Sequence, residues 1–165
     1  ISLRPPDNDL APDEREARAH AAAECVHLED GFDARTTPVQ MPGGANTRTF
    51  IFACRHFALE HLGLYAPTML KCDGRRFYVL TLIDGACTVV YGEQREHLLP
   101  GHTVLLPASL GYVTLIPTKP SAVLKVYVPD LVGNVIQPLR LAGVPDDAIR
   151  GLGGRTQHND LAPLL

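Results

Sequence analysis

The sequence has no excess of positive charge and no long hydrophobic run. Among its 165 residues, 15 Lys and Arg stand against 18 Asp and Glu, which gives a formal net charge of −3 at pH 7. A phosphate backbone binds to a basic face, so we do not expect nucleic acid as a partner. No apolar stretch approaches the roughly 20 residues of a membrane span, and no signal peptide is visible. We therefore expect a cytoplasmic protein with no membrane partner.

The sequence also lacks closely spaced cysteines. Its four cysteines, Cys25, Cys54, Cys72 and Cys87, are scattered and form no CxxC pair. Zinc sites and redox dithiols commonly use that spacing. The pattern predicts reduced, mostly buried thiols, and the even count leaves two disulfides open as an alternative.

Turn-forming and β-forming residues are abundant. The 14 Gly and 14 Pro indicate many turns rather than long helices. Between residues 49 and 129, β-branched and aromatic runs recur at about 8–12-residue spacing, separated by DG, YGE, PG and PTKP turns. Regular short strands of this kind predict an all-β sandwich or barrel. The predicted strands are 49–62, 77–85, 87–101, 102–108, 111–117 and 122–129.

The segments before and after these strands have a different character. Residues 1–48 form a predicted N-terminal arm, with a short helix near 13–25 and a Gly- and Pro-rich linker over 31–48. Residues 49–130 form the predicted barrel. Residues 131–165 form a predicted tail with two short helices, bounded by Pro and Gly. The apolar face of the tail predicts packing on the barrel, with partner binding as the alternative.

One stretch carries a family resemblance. The sequence "DGACTVVYGEQREHLLPGHTVLLPASLGYVTL" (84–115), together with "RHFALEHLGL" (55–64) and "FYVLTLIDGACTV" (77–89), resembles cupin domains. Within that superfamily it resembles the C-terminal cupin domain of type I mannose-6-phosphate isomerases, over roughly residues 15–130. The resemblance implies a jelly-roll β-barrel, a catalytic zinc held only in the separate N-terminal domain of a full-length relative, and pairing into a homodimer.

The resemblance also implies where a cupin metal would be bound. When the two cupin motifs are anchored on Gly85 and on Gly101, the Glu position falls on Tyr78 and one His position falls on Tyr112. The other two His positions fall on Lys71 and Asp73, or on Cys72 and Gly74. Divalent metals need convergent imidazole, thiolate or carboxylate ligands. We therefore expect neither a metal nor another cofactor in this chain.

Four side chains are candidates for lining a ligand site: Tyr78, Tyr112, His56 and Cys72. Cupin strand parity places Tyr78 and Tyr112 inside the barrel, where they would either line a pocket or plug the interior with their hydroxyls on buried partners. His56 alternates with apolar residues and is predicted to be a core or interface histidine. The alternative is a general acid/base pair of His56 with a carboxylate such as Glu60.

Other polar residues receive structural interpretations. Lys125, in the middle of "AVLKVYV", is predicted to face outward or to lie on an edge strand, with phosphate binding as the alternative. His97 and His102 flank the PG turn and are expected to be solvated.

Three functional hypotheses follow. The first is a structural, non-catalytic C-terminal portion of a mannose-6-phosphate isomerase, an enzyme that interconverts mannose 6-phosphate and fructose 6-phosphate. Because the chain begins at Ile1 rather than Met, this hypothesis includes an N-terminal catalytic domain as a partner. The second is a stand-alone cupin that binds a small sugar or sugar phosphate in the barrel. The third is a metal-independent isomerase or epimerase that uses His56.

Overall fold

The structure, a computed structural model, describes residues 11–24, 35–42, 44–154 and 159–165. The chain divides into two compact units, residues 1–32 and 33–165. In the first unit, α1 spans Pro12–Glu24 and all its residues are exposed. Asp13 and Glu14 lie in its first turn, where negative charge interacts favourably with the helix dipole. The predicted N-terminal helix is confirmed, while Cys25 lies outside the described residues.

The second unit is dominated by antiparallel strands. Two long strands, β5 and β8, pair with each other along most of their length. The first half of β5 and the second half of β8 belong to a sheet in the order β1-β2-β3-β8-β5-β7. Their other halves belong to a sheet in the order β4-β8-β5-β6. The strands are β1 (Val39–Met41), β2 (Thr47–Ala53), β3 (Ala58–Leu64), β4 (Thr68–Cys72), β5 (Tyr78–Tyr91), β6 (Gln94–Leu98), β7 (Thr103–Leu106) and β8 (Gly111–Tyr127).

The passage of β5 from one sheet to the other depends on Gly85. This glycine has φ = 92° and faces the backbone of β8. A Cβ atom there would lie 2.5 Å from the carbonyl oxygen of Pro120, and the strand register shifts on both sides of it. Only glycine combines this backbone conformation with such a close approach.

Several strand boundaries differ from the predictions. The predicted strand 49–62 is a hairpin, because the chain turns between Ala53 and Ala58, where the Cys54 amide donates to the Phe57 carbonyl at 2.9 Å. The predicted strands 77–85 and 87–101 share one long strand, β5, and the predicted strands 111–117 and 122–129 likewise merge into β8. The predicted linker 31–48 contains β1 and the start of β2. Bent strands look interrupted in sequence because Gly and Pro mark bends as well as turns.

Four short helical segments follow β8 in the described residues, the last of them a 3₁₀ turn over Ala162–Leu164. A π-helical segment (Leu131–Ile136) leads directly into α2 (Gln137–Leu141), and α3 (Asp146–Gly151) follows after Pro145. Their buried side chains join residues of β1, β2, β3 and β8 in one apolar cluster, the helix-side core, so the predicted packing of the tail on the barrel is confirmed. The helix-side core consists of Val39, Phe50, Ala53, Ala58, Tyr127, Leu131, Val135, Ile136, Leu139, Ile149, Leu152 and Leu161.

A second apolar cluster, the barrel core, lies among strands β3 to β8. It includes two cysteines, Cys72 and Cys87, and these two together with the half-buried Cys54 are free thiols. The barrel core consists of Leu62, Leu64, Cys72, Leu80, Leu82, Cys87, Val89, Leu98, Leu106, Val113, Leu115 and Val123. Among the described residues, no helix is long and apolar enough to cross a membrane.

Candidate functional site

A buried ion cluster lies inside the second unit. Its centre is the carboxylate of Glu60, whose side chain is 0% exposed. Oε2 of Glu60 lies 2.7 Å from Nε of Arg48 and 2.9 Å from Nζ of Lys125. Oε1 accepts hydrogen bonds from Nη2 of Arg48 at 2.8 Å and from the hydroxyl of Tyr127 at 2.5 Å. We call Arg48, Glu60, Lys125 and Tyr127 the interior ion cluster.

Strand register brings these four side chains together. Glu60 on β3 is directly opposite Lys125 on β8, a position that favours cross-strand ion pairs. Phe50 on β2 is opposite Glu60, so Arg48, two residues earlier, reaches the same carboxylate diagonally. Tyr127 follows Lys125 by two residues and therefore lies on the same face of β8.

Aromatic rings surround the ammonium group of Lys125. Its Nζ lies 4.8 Å from the ring centroid of Tyr127 and 5.4 Å from that of Tyr78. The two rings contact each other edge to face, with centroids 5.5 Å apart. Cation–π attraction thus adds to the ion pair with Glu60 in holding a side chain that is only 9% exposed.

Burial and ion pairing change the protonation behaviour of the cluster. Burial alone would raise the pKa of Glu60, but the hydrogen bond from Arg48 and the charges of Lys125 and Arg48 outweigh it and hold that pKa below its ordinary value. Burial lowers the pKa of Lys125, against the opposing effect of Glu60. Burial first, and then the neighbouring Glu60 charge, raises the pKa of Tyr127. Glu60 is therefore ionised and Tyr127 is a neutral hydroxyl donor at neutral pH.

The interior ion cluster does not fit a divalent metal. Both oxygens of Glu60 already contact cationic or hydroxyl donors, and Lys125 and Arg48 would repel a second cation. Within the described part of the chain, no three His, Cys, Asp or Glu side chains are grouped so that they could hold a metal ion. The charged and hydroxyl groups of the interior ion cluster are thus already engaged with one another.

Two of the predicted ligand-lining residues belong to the interior. Tyr78 begins β5, is half-buried and packs against both apolar cores as well as Lys125. Cys72 ends β4 and is 5% exposed within the barrel core. Burial raises the pKa of its thiol, and the nearby Asp73 raises it further. Cys72 is therefore a packing residue, whereas Tyr78 contacts the interior ion cluster.

The other two predicted residues lie elsewhere. Tyr112 is 58% exposed on β8, opposite Lys71 of β4, so the prediction that it points into the barrel is wrong. Its neighbour Val113 fills the inward position instead. His56 lies in the turn between β2 and β3 and is exposed, with its Nε2 accepting from Nε of Arg55 at 3.1 Å. The predicted core histidine is wrong because the strand assumed there is a turn. The four candidates do not converge on one site.

The prediction for Lys125 is also wrong. The sequence pattern predicts a lysine that faces outward or lies on an edge strand, yet Lys125 lies inside the second unit, paired with Glu60, on a strand flanked by β3 and β5. A sequence signal existed: Glu60 alternates with Ala58 and Leu62, and Lys125 alternates with Val123 and Tyr127, all of them buried. Two opposite charges, each on the apolar face of its strand, can be buried together when they are paired. What the sequence did not provide is the register that places one opposite the other.

Comparisons with known proteins concern the fold. No protein-family model matches the chain, and no curated protein matches its sequence. Solved structures that match include KdgF from Halomonas sp. (14% identity, 55% of this chain and 87% of that chain, TM-score 0.49). A cupin-2 domain protein from Shewanella frigidimarina also matches (9% identity, 64% and 95%, TM-score 0.43). A third is the mannose 6-phosphate isomerase from Bacillus subtilis (20% identity, 68% and 33%, TM-score 0.48).

The strand topology bears on the predicted fold class. The predicted all-β fold with short helices before and after the strands is confirmed. Cupins and mannose-6-phosphate isomerases, the predicted resemblances, both occur among the matching structures. The chain spans 33% of the Bacillus subtilis isomerase.

Proposed function

We propose that this barrel is a metal-independent, non-catalytic cupin domain with a structural role. In a longer protein of the mannose-6-phosphate isomerase type, another domain would carry the zinc and the chemistry, and this barrel would support it. The observation that carries the proposal is the closed interior ion cluster, in which Arg48, Lys125 and Tyr127 occupy both oxygens of Glu60.

The cluster has no group free for proton transfer. A general base must reach a substrate proton with an unoccupied lone pair and a pKa near the working pH. Glu60 is fully buried, engaged on both oxygens and held ionised by two cations. Its position also argues against a His56–Glu60 acid/base pair, since His56 is on an exposed turn. These contacts support a cluster that joins strands β2, β3 and β8 rather than one that transforms a substrate.

The test is an isomerase assay on the purified chain. With mannose 6-phosphate and added zinc, we expect no fructose 6-phosphate above the buffer blank, while the Bacillus subtilis isomerase assayed in parallel reports that the assay works. Zinc should also leave the melting temperature of the chain unchanged, because ligand binding to the folded state would raise it. Zinc-dependent turnover by the chain, or a saturable zinc-induced rise in melting temperature, would overturn the proposal.

A further inference from the structure

A cleft of about 360 Å³ opens beside the interior ion cluster. One wall is the segment that leads into β5 (Arg75, Arg76 and Phe77), and the other is the segment that leaves β8 (Val128, Pro129 and Asp130). The two walls are neighbours because Val79 of β5 pairs with Val126 of β8. Small-molecule sites typically occupy clefts of about 300–1,000 Å³ with apolar walls and a few convergent polar groups. Phe77, Val128 and Pro129 supply such walls.

Arg76 is the polar group that the fold leaves unsatisfied. Its side chain is 11% exposed, and within the described ranges its Nη1 is a buried nitrogen that has no hydrogen-bond partner. The nearest carboxylate contact, from Nη2 to Oδ2 of Asp73, is 3.9 Å long, which exceeds hydrogen-bond range. A buried guanidinium nitrogen without an acceptor is costly, and arginine is the side chain best suited to pair with carboxylate or phosphate groups.

The charges around Arg76 favour an incoming anion. The cleft and the interior ion cluster together hold four cationic side chains, Arg48, Arg75, Arg76 and Lys125. Three carboxylates stand against them: Glu60, already engaged by Arg48 and Lys125, Asp73, which is 34% exposed, and Asp130. Arg76 is within electrostatic reach of the cluster, because its charge adds to burial and to Arg48 in lowering the pKa of Lys125. Positive charge therefore exceeds negative charge at this end of the barrel.

We propose that this cleft binds a small molecule through an oxyanion group, a carboxylate or a phosphate, with Arg76 as its principal contact. Arg75 lies at the rim, and Phe77 and Pro129 cover the apolar part of the ligand. Arg76 lines the cleft, and its buried Nη1 has no acceptor, so an oxyanion in the cleft would supply the missing hydrogen-bond partner. Asp73 and Asp130 oppose binding electrostatically, although Asp130 is partly engaged by the Gly133 amide at 3.3 Å.

The test is calorimetric titration of the full chain with inorganic phosphate and, separately, with acetate, each against sodium chloride at matched ionic strength. We expect saturable binding of at least one oxyanion and none of chloride. Binding of phosphate alone would assign a phosphate ester as the ligand class, and binding of acetate would assign a carboxylate. Arg76→Gln should weaken the affinity about tenfold or more, the loss that follows removal of a charge-assisted hydrogen bond.

Two further variants control the result. Arg150→Gln removes an exposed arginine that pairs with Asp147 on α3 and is not part of the cleft lining, so it should leave the affinity unchanged. Asp73→Asn removes the opposing carboxylate and should raise the affinity, which tests the site without altering Arg76. Absence of oxyanion binding, or equal affinities in the wild type and Arg76→Gln, would overturn the proposal. Neither result bears on the non-catalytic role, which the zinc and turnover assays test.

Discussion

The barrel core and the interior ion cluster share strands β3 and β8 but are stabilised differently. On β3, Leu62 and Leu64 enter the barrel core, while Glu60 on the same face enters the ion cluster. On β8, Val123 enters the barrel core, while Lys125 on the same face enters the ion cluster. Strand parity alone decides which residues are inside. The identity of the residue on the opposite strand decides whether a charge can stay there.

The two regions should respond differently to substitution. Apolar packing is non-directional, so hydrophobic exchanges of similar volume in a core cost little. The interior ion cluster depends on all of its partners, because removing one leaves a buried charge unpaired. The barrel core is therefore tolerant of exchange, whereas the ion cluster is stable only when it is complete.

The largest expected effect comes from removing the central carboxylate. Glu60→Leu leaves the buried ammonium of Lys125 without an anion, and we expect a loss of about 3–5 kcal/mol in the free energy of unfolding. Urea denaturation measures it. Leu82→Ala in the barrel core is the matched large-to-small change, with an expected loss of about 2–5 kcal/mol from lost burial and the cavity left behind.

A second substitution distinguishes the two kinds of loss. Glu60→Leu combined with Lys125→Met removes both buried charges, and we expect the double variant to be at least about 1 kcal/mol more stable than Glu60→Leu alone. When Lys125→Met is combined instead with Leu82→Ala, we expect no such recovery in the free energy of unfolding. If Lys125→Met is equally destabilising in both backgrounds, Glu60 and Lys125 are not coupled and the description of the cluster fails.

A smaller effect is expected from acid. The folded-state pKa of Glu60 lies below its unfolded value of about 4.3, so in that interval the unfolded chain binds more protons. Glu60 therefore stabilises the fold above the unfolded pKa, and this contribution is lost as the pH falls through the folded pKa. The effect is smaller than that of Glu60→Leu because a protonated carboxyl still accepts hydrogen bonds from Arg48.

Thermal unfolding between pH 7 and pH 3 measures this contribution. Glu60→Gln should show a weaker loss of melting temperature in acid than the wild type does. Both proteins retain the acid dependence of Asp146, whose pKa is lowered by its hydrogen bond with Arg140. Arg48 and Lys125 face Glu60; despite burial, the pKa of Arg48 is raised by Glu60, so Arg48 stays protonated throughout this range, whereas burial lowers the pKa of Lys125. Parallel curves for the two proteins would mean that Glu60 is not specifically stabilised as an anion.

The sequence predicted the architecture better than the site, for physical reasons. Strand composition and turn residues are local properties, so the all-β barrel and the helical tail could be inferred. Pairing register is a long-range property, and without it Glu60 and Lys125, separated by 65 positions, could not be matched. The parity of β8 was also assigned wrongly near Tyr112, because motif alignment fixed the position of that residue but not the face to which it belongs.

The smallest expected effect tests directly which face of β8 carries Tyr112. Tyr112 lies on the outer face of β8, where its ring is 5.8 Å from Nζ of the exposed Lys71. Exposed cation–π contacts contribute about 0.5–1 kcal/mol, so Tyr112→Ser should change the free energy of unfolding by no more than that. On the inner face of the same strand, Tyr127→Phe removes the hydroxyl that donates to Glu60 and should cost about 1.5–3 kcal/mol. Urea midpoints compare the two variants under the same conditions. A loss for Tyr112→Ser as large as that for Tyr127→Phe would place Tyr112 inside the barrel and reverse the assignment of the two faces of β8.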